Sequence, residues 1–432
     1  MTFPCWNRGR LCVPAALLCL CAVLLGTAQA QVADAPLTLD EAIRLTLTRN
    51  PELLAFGYAL RAQEGRELQA SLRPRPTLTV GVEDALGTGV AKGLEETQAT
   101  VAIAWILEGD RRQRRIDVAR AGSEVLADQA RVLRLDAAAQ TARLYTSALE
   151  QLLHRDIADA ALALAQETVA AVERRVQAGT TTTAELARAR AEEAKRALYR
   201  EDVDHQINAA RHRLTAQWGD MDADTGDLVP LPAALPVVEA FETLLSRIEQ
   251  NPDLDLFLTE ARQQESLLRL EQADSKAPWE VSTGLRRYQG SADFGLVAEL
   301  SIPFNAGNRN QGRIREVTES LAQTRAEREA ARLRLQTRLR DMHLELTHSL
   351  HRIDALRDEV IPRFEDALEQ IRRAWELGSA SYLEQLQVQE ELLNARSELA
   401  ETLIQARLDI IEIERITGVS ITLPATAPGG AP

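Results

Sequence analysis

Two glycines, Gly179 and Gly378, are each followed by a hydroxyl residue, Thr182 or Ser381, and then by a carboxylate, Glu185 or Glu384. A serine or threonine with glutamate three residues later forms a capping box, in which each side chain satisfies a free amide at the start of a helix. The glycines can take the left-handed conformation that ends the preceding helix. Arg174 and Arg373 lie in that helix's last turn, where a cation complements the helix dipole. The spacing therefore predicts two helical hairpin tips, each with an acidic side chain at a capping position. The six histidines do not predict a metal site. His343 and His348 miss the His-Glu-x-x-His spacing, and His348 with His351 has only Glu345 nearby. No nucleophile elbow, phosphate loop or dinucleotide fingerprint occurs, so neither an enzyme nor a cofactor is expected.

The tips imply long helices, and the whole arrangement occurs twice. Arg174 to Glu192 matches Arg373 to Glu391, and Asn50-Pro51-Glu52-Leu53 matches Asn251-Pro252-Asp253-Leu254, at an offset of about 200 positions that predicts a tandem duplication. In each half a short helix, Leu39 to Arg49 or Phe241 to Gln250, leads through Asn-Pro into another, Glu52 to Leu72 or Pro252 to Ser275. The period then falls from 3.6 to 2. Leu78, Val80 and Val82, then Val101, Ile103 and Trp105, alternate with small or polar residues across 76–107. Trp279, Val281 and Leu285, then Phe294, Leu296, Ala298, Leu300 and Ile302, do the same across 278–303. Gly109-Asp110 and Gly307-Asn308 switch each half back to an unbroken helix, Asp110 to Ala178 and Asn308 to Leu377, each ~100 Å long at 1.5 Å per residue. The returning helices, Gly179 to Gly219 and Ser379 to Gly418, are shorter. The helices after Pro252 and after Pro51, respectively, are expected to complete their columns.

Residues 1–30 read as a secretory leader, with Arg8 and Arg10 before an apolar run and Ala28-Gln29-Ala30 as the cleavage site. All four cysteines lie within it, so the mature chain carries no disulfide. The remainder divides into repeats at 31–236 and 237–423, with 424–432 a disordered tail. With 64 acidic against 50 basic residues the chain is not a nucleic-acid binder. Beyond the leader no stretch is apolar enough for a transmembrane helix, but strands of about ten residues with one apolar face can cross a bilayer. Four such strands cannot close a barrel, and open edges are intolerable in lipid, so the chain must oligomerise. Two copies would supply eight strands around a filled interior; three would supply twelve around a lumen.

With the opening Leu37-Thr38-Leu39-Asp40-Glu41-Ala42, the doubled Asn-Pro-acidic-Leu, two strand pairs and two glycine-to-glutamate tips, the chain resembles the TolC family of outer-membrane efflux proteins. The resemblance implies a mainly α fold with a small transmembrane β-barrel. Long helical hairpins would form a trimeric periplasmic tunnel, and four strands per chain would contribute to a 12-stranded barrel. It implies an exit duct in outer-membrane lipid, docked by its tips to a periplasmic adaptor and an inner-membrane pump of resistance-nodulation-division type. Leu72-Arg73-Pro74-Arg75-Pro76, leading into Val80-Gly81-Val82-Glu83-Asp84, is most similar to the cobalt-zinc-cadmium resistance branch. By the same resemblance Glu185 and Glu384 fall at the periplasmic gate, where Gln387 replaces a further acid. Arg174, Gly179, Thr182, Arg373, Gly378 and Ser381 fall at the docking tips. A periplasmic coiled-coil adaptor or a pore-less structural protein is the alternative, but neither needs four bilayer-length strands.

Overall fold

The computed structural model describes residues 36–221, 226–232, 235, 238–304 and 309–418. The leader at 1–30, the tail at 424–432 and the Gly307-Asn308 switch lie outside the described residues. The chain order is α1 (Leu39–Arg49), α2 (Pro51–Ser71), β1 (Thr77–Glu83), β2 (Gln98–Leu107), α3 (Arg111–Gln177), α4 (Thr183–Thr215), α5 (Phe241–Arg247), α6 (Pro252–Asp274), β3 (Trp279–Tyr288), β4 (Phe294–Ser301), α7 (Gln311–Ala355), α8 (Ile361–Glu376) and α9 (Tyr382–Thr417).

The two Asn-Pro steps decide how the helices stack. Asn50 Oδ1 accepts from the amides of Glu52 and Leu53 at 2.9 and 3.1 Å and caps α2, while its Nδ2 donates to the Gln217 carbonyl at 2.8 Å. Asn251 does the same for α6, accepting from the Asp253 amide at 2.7 Å and donating to the Ile416 carbonyl at 2.6 Å. Each asparagine is buried and fastens the start of one helix to the end of another. Gly219 and Gly418, both left-handed, end the incoming helices against Pro51 and Pro252. The pairing expected from helix lengths, α4 with α6 and α9 with α2, is therefore reversed. Each returning helix meets the short column of its own half, because there a positive helix N-terminus meets a negative C-terminus across one amide.

α3 is continuous over 67 residues, as expected, but its counterpart is not. A π-helical turn, Leu356–Val360, separates α7 from α8. Pro362 supplies the reason: it offers no N–H and its ring crowds the carbonyl of residue 358, and a wider turn accommodates both defects.

β2 pairs with β3 (Val101 opposite Leu285), so the two hairpins form one antiparallel sheet in the order β1-β2-β3-β4. Opposite residues share a face. Val80, Val101, Leu285 and Leu296 line one face, whereas Thr100, Arg286, Ser282 and Glu299 line the other. Among the described residues nothing covers the apolar face: Leu78, Val80 and Leu296 are 65%, 67% and 78% exposed. β1 and β4 are open edges of seven and eight residues, shorter than expected.

The core lies where the short helices join the long ones. Leu244, Ile248, Leu254, Leu339, Ile410 and Ile413 pack on one side, and Leu37, Ala42, Tyr145, Leu214 and Trp218 on the other. Charged side chains tie the two. Glu412 pairs with Arg143 on α3 and Arg338 on α7, and Arg415 with Asp136 on α3 and Asp253 on α6. Tyr145 fastens the entry to α1: its hydroxyl lies 2.7 Å from the carbonyl oxygens of both Leu37 and Val229.

Burial pushes the Tyr145 phenol from 10.0 up to about 12, although the Val229 carbonyl bond opposes the shift. Its contribution to stability should thus be complete below pH 10.0 and fall as pH rises toward about 12, because the unfolded phenol ionises first. Absorbance titration at 295 nm should show tyrosine ionisation extending above the usual range. Tyr145→Phe should diminish that late component and cost about 1 to 3 kcal/mol in chemical denaturation, since the Val229 carbonyl loses its donor.

Candidate functional site: the paired hairpin tips

Both tips fold as their sequences predict at the helix stop. Gly179 and Gly378 have φ of +72° and +79°. The next amides, of Thr180 and Ser379, return to the carbonyls of Arg175 and Ala374, each at 2.9 Å. Arg174 and Arg373 offer their carbonyls to Ala178 and Leu377, and the Arg373 side chain pairs with Glu369. An added Cβ at either glycine would meet nothing within 4 Å, so only backbone conformation demands glycine there.

The restarts differ. At the second tip the box is complete: Ser381 Oγ accepts from the Glu384 amide at 3.3 Å, and Glu384 Oε2 accepts from the Ser381 amide and hydroxyl at 2.7 and 2.8 Å. Those bonds, the amide first, hold the Glu384 carboxyl below the usual range. At the first tip Thr182 Oγ1 accepts from the Glu185 amide at 3.3 Å, but the Glu185 carboxylate takes the Thr181 hydroxyl instead of the Thr182 amide. The expected pair of capping boxes is therefore one box and one half. The counterpart of Thr181 in the second tip is Ala380, which has no hydroxyl to compete. Gln387 donates along its own helix to Glu391 at 3.1 Å.

The structure brings the tips together through residues that the spacing did not single out. Trp375 and Tyr382 of the second hairpin are buried against Val172 and Ala189 of the first. The Arg175 guanidinium stacks 4.7 Å from the Trp375 ring centre and donates to the Trp375 carbonyl. Burial, then the charge of Glu192, pushes the Tyr382 phenol up, with Arg188 opposing and Glu185 adding to the rise. One signal was present in the sequence: an aromatic pair flanking Gly378 in a chain with 4% aromatic residues. Leu377, by contrast, is 86% exposed at the end of the hairpin.

Among the described residues no three histidine, cysteine or acidic side chains converge as a metal site. His343 Nε2 lies 3.2 Å from the Glu239 carbonyl and its ring packs on Phe241; His212 Nδ1 lies 3.1 Å from the Met221 carbonyl.

Residues 245–419 match the family described as Outer membrane efflux protein. The chain is 28% identical to the cobalt-zinc-cadmium resistance protein CzcC of Cupriavidus metallidurans, over 89% of this chain and 91% of that one. It is 24% identical to the nickel-cobalt-cadmium resistance protein NccC of Alcaligenes xylosoxydans xylosoxydans, over 76% and 72%. Its fold is similar to that of the outer-membrane channel OprN, with a TM-score of 0.74 over 89% of this chain and 91% of that one at 20% identity.

Hydrogen exchange can separate the two carboxylates. Glu384→Ala removes bonds to the Ser381 amide and hydroxyl and should loosen the start of α9 by about 0.5 to 2 kcal/mol. Glu185→Ala removes a side-chain bond only and should change α4 less. Trp375→Ala should raise exchange in both hairpins, at a cost of about 3 to 5 kcal/mol; a change confined to α8 and α9 would show that Trp375 does not join the tips.

Proposed function

We propose that this chain is the outer-membrane exit duct of a tripartite efflux system serving heavy-metal resistance, a reading supported by the match of residues 245–419 to the outer membrane efflux protein family. The single observation that carries the duct reading is the sheet. It has an uncovered apolar face, a polar face and two open edges, and long hairpins continue from it. Backbone edges left open in hydrocarbon cost several kcal/mol per unsatisfied group, so β4 of one copy would pair with β1 of the next. Three copies would give twelve strands and a lumen, lined by the Thr100, Arg286 and Glu299 face. No helix among the described residues is long and apolar enough to cross a membrane, so the strands are the spanning elements of this reading. The matched Asn50 and Asn251 joints and the matched tips support descent from a tandem duplication.

The metal reading rests on the names of the two relatives. The tips are the periplasmic end: Arg174, Gly179, Thr182, Arg373, Gly378 and Ser381 shape the surface that an adaptor protein grips, with an inner-membrane pump of resistance-nodulation-division type behind it. Glu185 and Glu384 line the constriction, where six carboxylates from three chains favour cations, and Gln387 leaves that ring weaker than a doubled acidic one.

Membrane fractionation tests the duct: a heat-modifiable trimer in the outer membrane is expected, and a soluble periplasmic monomer would sink it. Gly179→Val with Gly378→Val should impair efflux of cobalt, zinc or cadmium while leaving trimer and insertion intact, because valine cannot adopt the left-handed turn without strain. Glu185→Gln with Glu384→Gln preserves hydrogen-bonding capacity. It should reduce cation preference in single-channel recordings; unchanged selectivity would leave the two carboxylates as caps only.

A further inference from the structure

The chain is acidic overall, yet free cations gather where strands give way to helices. Arg73 and Arg75 lie between α2 and β1, Lys276 between α6 and β3, and Arg309 and Arg315 at the entry to α7; all five are exposed. None of their side chains has an ion-pair or hydrogen-bond partner among the described residues.

The other arginines at this level are already engaged. Arg111 donates to the Asp274 and Lys276 carbonyls at 3.0 and 2.6 Å, and Arg112 to the Ser71 carbonyl at 2.7 Å. They neutralise the negative ends of α6 and α2. The neighbouring acids are engaged as well: Glu108 by Arg115, Asp274 by Arg111, Asp110 by Arg114 and Glu271 by Asn310. Four unengaged acids, Glu280 and Glu299 on the polar face of the sheet and Glu316 and Glu319 on α7, stand against five free cations. The far end of the sheet has the opposite balance, with Asp84, Glu95, Glu96 and Asp293 around Lys92.

Large apolar side chains border the cations on the sheet side. Trp105, Leu107, Trp279 and Ile302 are exposed, and Phe304 is 99% exposed. Aromatic rings at the edge of an apolar band settle at headgroup depth. Arginine's planar fork matches phosphate oxygens, and basic clusters beside an apolar segment are held by anionic lipid.

We propose that this collar binds the phosphates of anionic phospholipids in the membrane leaflet on the helical side of the sheet. The inference rests on the outer-membrane reading above and adds a lipid partner to it.

The test uses the purified full chain in detergent, with phosphatidylglycerol, phosphatidylcholine or inorganic phosphate added. Phosphatidylglycerol should raise the thermal midpoint by several degrees, phosphatidylcholine should not, and ~0.5 M salt should suppress the difference by screening. Replacing Arg73, Arg75, Lys276, Arg309 and Arg315 together by Gln should abolish it. Arg73→Gln with Arg75→Gln alone should diminish it, should the fivefold variant fail to fold. Equal stabilisation by both lipids, or by inorganic phosphate, overturns the proposal. So does a variant that loses its trimer equally in either lipid, since the cations would then pair with a neighbouring copy. Failure of the wild-type chain to enter vesicles of any composition would instead refute the membrane reading itself.

Discussion

Two buried asparagine side chains hold the long axis of this molecule together. Each performs two tasks with one amide: the oxygen caps a new helix and the nitrogen takes a carbonyl at the end of another. Helices longer than the globular average draw little stability from propensity alone, so returning columns assembled from two pieces depend on how those pieces are joined. A buried joint of this kind cannot slip, because displacement would strand an amide and a carbonyl away from water. The apolar clusters around Leu244 and Leu214 and the paired charges of Glu412 and Arg415 surround these joints.

From this fixed middle the two ends take different forms. At one end the chain completes its own packing: Trp375, Tyr382, Val172 and Ala189 form a small core between the hairpins, and Arg175 closes over the indole. At the other end it does not. Among the described residues the sheet keeps two unpaired edges and an uncovered apolar face. That contrast is the physical basis for proposing that the sheet end meets lipid and further copies of the chain.

The two halves also differ where chemistry is at stake. A threonine at 181 against an alanine at 380 is enough to redirect a carboxylate from a backbone amide to a hydroxyl. A tyrosine at 145 fastens two carbonyls, while His343 reaches one in the second half. Pro362 opens a π turn that α3 does not have. The two tips are thus similar in trace and unequal in their capping bonds.

What the sequence determined by itself is most of what short-range rules govern; the π turn before Pro362 and the Thr181–Glu185 bond are the local exceptions. Alternation marked the strands and Asn-Pro and hydroxyl-to-glutamate spacings marked the helix starts. Gly179 and Gly378 marked the stops, because each depends on a residue and its neighbours within one turn. Only the tertiary structure decided which column each short helix joins, that β2 pairs with β3, and that Arg175 and Trp375 weld the hairpins. Those outcomes depend on groups far apart in sequence meeting at hydrogen-bond or van der Waals distance. Helix lengths alone made the wrong pairing of columns look equally good, since length carries no information about which buried amide finds which carbonyl.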